Sequence, residues 1–193
     1  MTHLLDRYLL YRIRVLQDPE AFAKLYDRYV TPIYRFVLLK LPSKEDAEDT
    51  TSEIFLKCWR YLQDRQEVRE IRALLYHIAR TTIADWYRSR AIMPTRTLAV
   101  TFSDDFTSSS IQDELSDAGR GKSLVEARAD LAMVMGRLER LKDDYRDVLT
   151  LRLIDGLPFA LIGEIMGKTA GHVRVLYHRA KKALDALEDG QTS

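Results

Sequence analysis

LPFALIGEIMGKTAGHVRVLYHRAKKAL, residues 157–184, decides how the chain is read. It divides into two short helices around a tight turn. Leu161, Ile162 and Ile165 give the first helix an apolar face. Gly167 supplies a position where positive φ carries no steric penalty. Thr169 is placed to cap the second helix. In that helix Val173, Leu176, Ala180 and Leu184 recur at helical spacing and face inward. Arg174, Arg179, Lys181 and Lys182 lie among them, with no acidic residue until Asp185. Gly163 stands where the first helix must approach the second, and the missing Cβ permits that contact. The pattern is that of a helix-turn-helix, whose second helix enters a DNA major groove. The plainer alternative is a helical hairpin with a solvated basic face.

Outward from that stretch, composition narrows the class. The chain has 193 residues, enough for one large or two small domains. Its 46% hydrophobic content supports packed cores, and its 31% charged content supports helices polar on one side. The net charge of +1 provides no global field for nucleic acid, so any basic surface is local. Glycine and proline are sparse and the long segments repeat every three to four residues, which predicts an all-α protein. A single cysteine, Cys58, excludes an intramolecular disulfide and a multi-cysteine metal cluster. Charges interrupt the N-terminal MTHLLDRYLLYRIRVLQ every few residues, against a signal peptide or a membrane span. The expected location is the cytoplasm, with no membrane insertion. No metal site and no cofactor is expected.

The expected organisation is two small helical domains joined by a flexible acidic linker. Residues 1–17 form an N-terminal helical extension, and residues 18–90 are helical throughout. Residues 91–123 carry Pro94, clustered serines, Gly119 and Gly121. Between Leu98 and Gly119 every charge there is negative, which marks a linker. Residues 124–189 resume helical periodicity. Leu131, Val134, Leu138 and Leu141 mark one helix. Tyr145, Val148, Leu149 and Leu153 mark another, opened by Asp143 or Asp144 and closed by Gly156.

Two segments of the first block carry chemistry. SKEDAEDTTSEIFLKCWRYL, residues 43–62, opens on a capping Ser43 and gathers acidic residues early in a helix, where the helix dipole favours them. Ala47, Thr51, Ile54, Phe55, Cys58 and Leu62 form its inward stripe. Its outer face reads either as a solvated acidic surface or as a docking site for a basic partner. EIRALLYHIARTTIADWYRSR, residues 70–90, interleaves Arg72, Arg80, Arg88 and Arg90 with Tyr76, Trp86 and Tyr87. Cations neutralise phosphates and aromatic faces stack on unpaired bases, although the aromatics also suit a core.

These segments together resemble a known family. DAEDTTSEIFLKCW resembles the polymerase-docking helix of the sigma-70 family. LLYHIARTTIADWYRSR resembles its promoter-melting helix. LERLKDDYRDVLTLRLIDGLPFALIGEIMGKTAGHVRVLYHRA resembles its C-terminal helix-turn-helix domain. Two such domains in a chain this short resemble the extracytoplasmic-function, or group four, sigma factors. The sequence departs from the pattern at Ser52, Leu74, Thr81, Leu161, His172, Val175 and Leu176, and residues 63–70 lack the usual aromatic and glycine. None of these departures breaks a helix.

The resemblance implies a sigma region 2-like domain at 18–90 and a region 4-like domain at 124–189. It implies a non-enzymatic factor that brings core RNA polymerase to the −10 and −35 promoter elements. Docking onto the clamp region of the β′ subunit falls to Asp46, Glu48, Asp49, Glu53 and Phe55, and the β flap is a second contact. The −10 strand falls to Asp64, Arg65, Gln66, Glu67, Arg69, Arg72, Tyr76, Arg80, Thr81, Trp86 and Arg88. The −35 duplex falls to Lys168, Thr169, His172, Arg174, Val175, His178, Arg179, Lys181 and Lys182. Arg179, Lys181 and Lys182 are assigned to phosphates, which position without specifying. An anti-sigma protein is a further implied partner. A linker of about 33 residues reaches ~110 Å fully extended, against ~85 Å for two and a half turns of duplex. The competing reading is a helix-turn-helix regulator that acts without docking on polymerase. An enzyme finds no support, since His3, His77, His172 and His178 form no pattern with carboxylates or Cys58.

Overall fold

The computed structural model describes residues 2–64, 67–90, 136–138 and 140–189. The expected linker, Arg65, Gln66, Leu131 and Val134 lie outside the described residues. Every regular element among the described residues is helical.

Four helices build the N-terminal bundle. Helix α1 (Thr2–Leu16) buries Leu9, Leu10 and Ile13 against α2 (Pro19–Leu38) and α3 (Lys44–Gln63). It stops because Gln17 turns to φ +50. Asp18 then caps α2 through the amides of Glu20 (2.9 Å) and Ala21 (3.3 Å), with Pro19 in the first turn, where its missing N–H is no loss. Tyr29 of α2 donates to the buried Asp6 of α1 at 2.7 Å, and burial together with that carboxylate pushes its pKa up to about 12. Helix α1 is thus packed into the bundle.

Ser43 accepts from the Asp46 amide at 3.0 Å, as the sequence predicts for the start of α3. The predicted inward stripe of α3 is buried at all six positions. Each large apolar side chain so covered contributes about 1.5–3 kcal/mol over its exposed state. Helix α4 (Ile71–Ser89) packs along α3 and buries Ile71, Leu75, Ile78, Ala79 and Ile83. Lys57 ties the pair together through Thr82 at 3.2 Å.

The C-terminal unit contains α5 (Asp143–Leu149), a π-helical turn (Thr150–Ile154), α6 (Phe159–Met166) and α7 (Ala170–Asp189). Asp143 and Asp144 occupy the first turn of α5 rather than capping it, since the cap position is Lys142. Leu153, expected inside, is 57% exposed. The π turn explains this: its wider hydrogen-bond spacing, with the Asp155 amide reaching Thr150 O at 3.1 Å, rotates Leu153 off the inner face. Leu151 fills the core instead. Gly156 ends the turn at φ +64.

Gly167 adopts φ +65 between α6 and α7, as predicted. At Gly163 a Cβ would lie 2.6 Å from the backbone oxygen of Lys168. The close approach read from the sequence is therefore real, and its partner is the turn backbone. The two units meet where α4 runs along α6.

Candidate nucleic-acid interface

Helix α7 presents one continuous polar face. Val173, Leu176 and Ala180 are buried, whereas His172, Arg174, Val175, His178, Arg179, Lys181 and Lys182 are exposed. These positions follow the i, i+3, i+4, i+7 rhythm of a single helix side. The exposed Thr169 hydroxyl accepts from the His172 amide at 3.2 Å, so it serves as the cap. Lys168 is held at 3.3 Å from Asp144. Phe159 and Tyr177 meet edge to face at 5.5 Å and brace α6 against α7. The Arg174 guanidinium lies 5.9 Å from the Phe159 ring, while its side chain stays exposed.

The described residues assigned to the −10 strand divide into two groups. Asp64, Glu67, Arg69, Thr81 and Arg88 are exposed along one end and side of α4. Thr81 bonds back to Ile78 O at 2.9 Å, and Arg88 pairs with Asp85 at 2.6 Å. The others are engaged inside the protein. Tyr76 is 3% exposed and packs edge-on against Phe36 at 5.2 Å. Burial, with Asp155 beside and bonded to it, pushes the Tyr76 hydroxyl pKa up. A buried ring cannot stack on a base in this conformation, so Tyr76 belongs to the core. Arg72 lies over Tyr29. The indole of Trp86 donates to Asp46 at 3.2 Å. Arg80 is held by Asp147 at 2.8 Å and by Asp144 at 3.3 Å.

The acidic face of α3 shows a similar split. Glu48, Asp49 and Glu53 are exposed. Asp46 is occupied by Ser43, by Trp86 and by Arg90 at 3.0 Å. Phe55 is buried at 3% exposure and packs against Tyr26 at 4.7 Å, so it supports the acidic face from below. The apolar side chain on the surface there is its neighbour Leu56, 48% exposed. Sequence reading missed Leu56: it puts Phe55 both in the inward stripe and on the docking face, and the fold bears out the inward position. It also missed Arg35 of α2 and Lys40 just beyond it, whose partners, Asp155 at 2.7 Å and Asp147, lie in the other unit.

Residues 25–92 match the sigma-70 region 2 family and residues 131–184 match sigma-70 region 4. The chain belongs to the sigma-70 family. It is 30% identical over 171 residues to the ECF RNA polymerase sigma factor BldN of Streptomyces coelicolor, covering 88% of this chain and 61% of that protein. It is 28% identical over 183 residues to the ECF RNA polymerase sigma-E factor of Escherichia coli K12, covering 94% and 93%. SigM of Bacillus subtilis, another ECF sigma factor, is 25% identical over 164 residues, covering 85% and 93%. In fold, this sigma-70 family member is similar to CnrH, solved in complex with the cytosolic domain of CnrY. The TM-score is 0.69 at 24% identity, over 96% of this chain and 98% of that one. Among the described residues no helix is long and apolar enough to cross a membrane.

Proposed function

We propose that this chain is an extracytoplasmic-function sigma factor that recruits core RNA polymerase to promoters. The observation that carries the reading is the pairing of two opposite surfaces in one chain. The exposed carboxylates of α3 stand in the region 2 match, and the exposed cations of α7 stand in the region 4 match. In this reading Glu48, Asp49, Glu53 and Leu56 face the polymerase clamp on the β′ subunit. Exposed ion pairs contribute little singly, so docking is a distributed contact. The region 4-like unit meets the β flap and reads the −35 duplex through α7. Arg69, Thr81 and Arg88 meet the −10 strand.

A protein that only binds duplex DNA has no use for the acidic α3 surface. The solved relative CnrH is held by the cytosolic domain of CnrY, which supports an anti-sigma protein as a further partner here. The test is run-off transcription with core polymerase on a promoter library, alongside co-elution with the core enzyme. Promoter-dependent transcripts that vanish with Glu48→Lys, Asp49→Lys and Glu53→Lys combined are the expected result. DNA binding without co-elution would favour the regulator that acts without polymerase.

A further inference from the structure

Three cations of the N-terminal bundle share one surface and find carboxylates in the other unit. Arg35 of α2 reaches Asp155 at 2.7 Å. Lys40, just beyond α2, pairs with Asp147. Arg80 of α4 reaches the same Asp147 at 2.8 Å, Asp144 at 3.3 Å and the backbone oxygen of Ile165 at 3.4 Å. The Asp147 and Asp155 side chains are 2% and 4% exposed. Such buried charges are tolerated only when paired, and removing one partner leaves the other stranded. Their partners lie 67 to 120 positions away in sequence. Beside the pairs, His77, Thr81 and Arg88 line a cleft with Lys40 and Arg80.

We propose that Asp144, Asp147 and Asp155 stand in for nucleic-acid phosphates on a cationic face made by Arg35, Lys40 and Arg80. The closed chain hides this face. Phosphates of a single strand take the carboxylates' places, and the two units part when they do. Exchange of a carboxylate for a phosphate keeps each cation paired, so opening by nucleic acid avoids stranded charge on the bundle. The basic face of α7 stays exposed, although Asp144 also pairs with Lys168 in the turn before it. The closed chain therefore retains duplex contact through α7 and lacks strand contact through Arg35, Lys40 and Arg80. This goes beyond the role on polymerase, and neither measurement below contains polymerase or a promoter.

The first measurement uses the unmodified full chain and an oligo-dT strand. Saturating strand is expected to raise the protein's radius of gyration in contrast-matched neutron scattering. Saturated binding with no expansion overturns the proposal. The second uses the full-length D144N/D147N/D155N variant. If about one wild-type molecule in ten is open, its affinity for oligo-dT rises about tenfold, because apparent affinity scales with the competent fraction. Adding K40Q and R80Q is expected to abolish the gain. A variant with native helical circular dichroism and wild-type affinity for the strand counts against the latch. Should the triple variant not fold, R35D/D155R restores the pair with its charges exchanged. It is expected to stay compact and to bind oligo-dT less tightly than wild type; undiminished binding overturns the assignment of Arg35 to the face.

Discussion

Helices α4 and α7 both carry basic side chains expected of nucleic-acid contacts, arginines alone on α4 and arginines with lysines on α7, yet they hold them differently. On α7, Arg174, Arg179, Lys181 and Lys182 point to solvent, and among the described residues no ion pair ties them down. On α4 and just after it, Arg72 lies over Tyr29, Arg80 is clamped by Asp147 and Asp144, Arg88 pairs with Asp85, and Arg90 pairs with Asp46. A duplex is a rigid, preformed polyanion, and cations free on arrival release counterions at once. A separated strand exists only after melting, and cations meant for it can be held by carboxylates until then. In the proposed reading, the difference between the two helices is one of timing.

The contrast is broken most severely at Tyr76. If its ring belongs to the bundle core, Tyr76→Ala is expected to cost ~3–5 kcal/mol, the usual range for deleting a buried aromatic. Tyr76→Phe is expected to lose only about 1 kcal/mol, for the hydroxyl's bond to Asp155. Denaturant melts of both variants decide it. An alanine variant of wild-type stability with lowered strand binding would restore Tyr76 to the surface.

Tyr76 also shows how far the sequence could be read. The helices, Ser43 as cap, the αL turn at Gly167 and the exposed face of α7 all follow from local rules of spacing and φ. The family resemblance was readable because its segments occur in order. What spacing could not supply was any partner remote in sequence. An aromatic among arginines looks the same whether it stacks on a base or on Phe36. Arg80 looks free until Asp147 is known to lie beside it. Phe55 falls on the inward stripe of α3 by spacing, and its ring packs on Tyr26 accordingly. Leu153 failed for a different reason, since a π turn shifts register by an amount that helical periodicity does not anticipate.

Next in size is Gly163. A methyl group there meets the Lys168 carbonyl, which is backbone and cannot swing aside. Gly163→Ala is expected to cost about 3 kcal/mol, the upper end for overpacking. Duplex binding through α7 falls with it, while Cys58 and the rest of the N-terminal bundle stay protected. Hydrogen exchange, resolved by segment, checks that the loss is confined to one unit. Equal loss of protection in α3 would mean that the two units unfold together.

Within α7 the cations should divide by role. Arg174→Ala is expected to relax −35 preference by ~1–3 kcal/mol, as for a bidentate contact to guanine. Lys182→Ala has the smaller effect: it weakens every duplex alike and lowers the salt-dependence slope by about one unit. Titrations of matched and scrambled duplexes at several salt concentrations separate the two. Equal loss of discrimination in both variants would show that α7 reads no base through Arg174.

The smallest expected effect is at Cys58, and it separates opening from unfolding. The thiol lies on the inner face of α3, and burial pushes its pKa up to about 12. The reactive species is the thiolate, and an ordinary thiol ionises near pH 8.5. At pH 8 the native bundle thus holds about a thousandfold less thiolate than a free cysteine. Iodoacetamide is expected to label Cys58 at a rate set by unfolding of the bundle. The linkage has a definite sign: the raised pKa reflects a neutral thiol favoured by the fold. The bundle therefore loses stability as pH rises above the unfolded value, until the native thiol also ionises near 12. Parting of the two units leaves α3 packed between α2 and α4, so D144N/D147N/D155N should label no faster than wild type. Faster labelling in that variant would mean that the contact between units also holds the bundle together. The contrast between α4 and α7 would then reflect stability as well as timing.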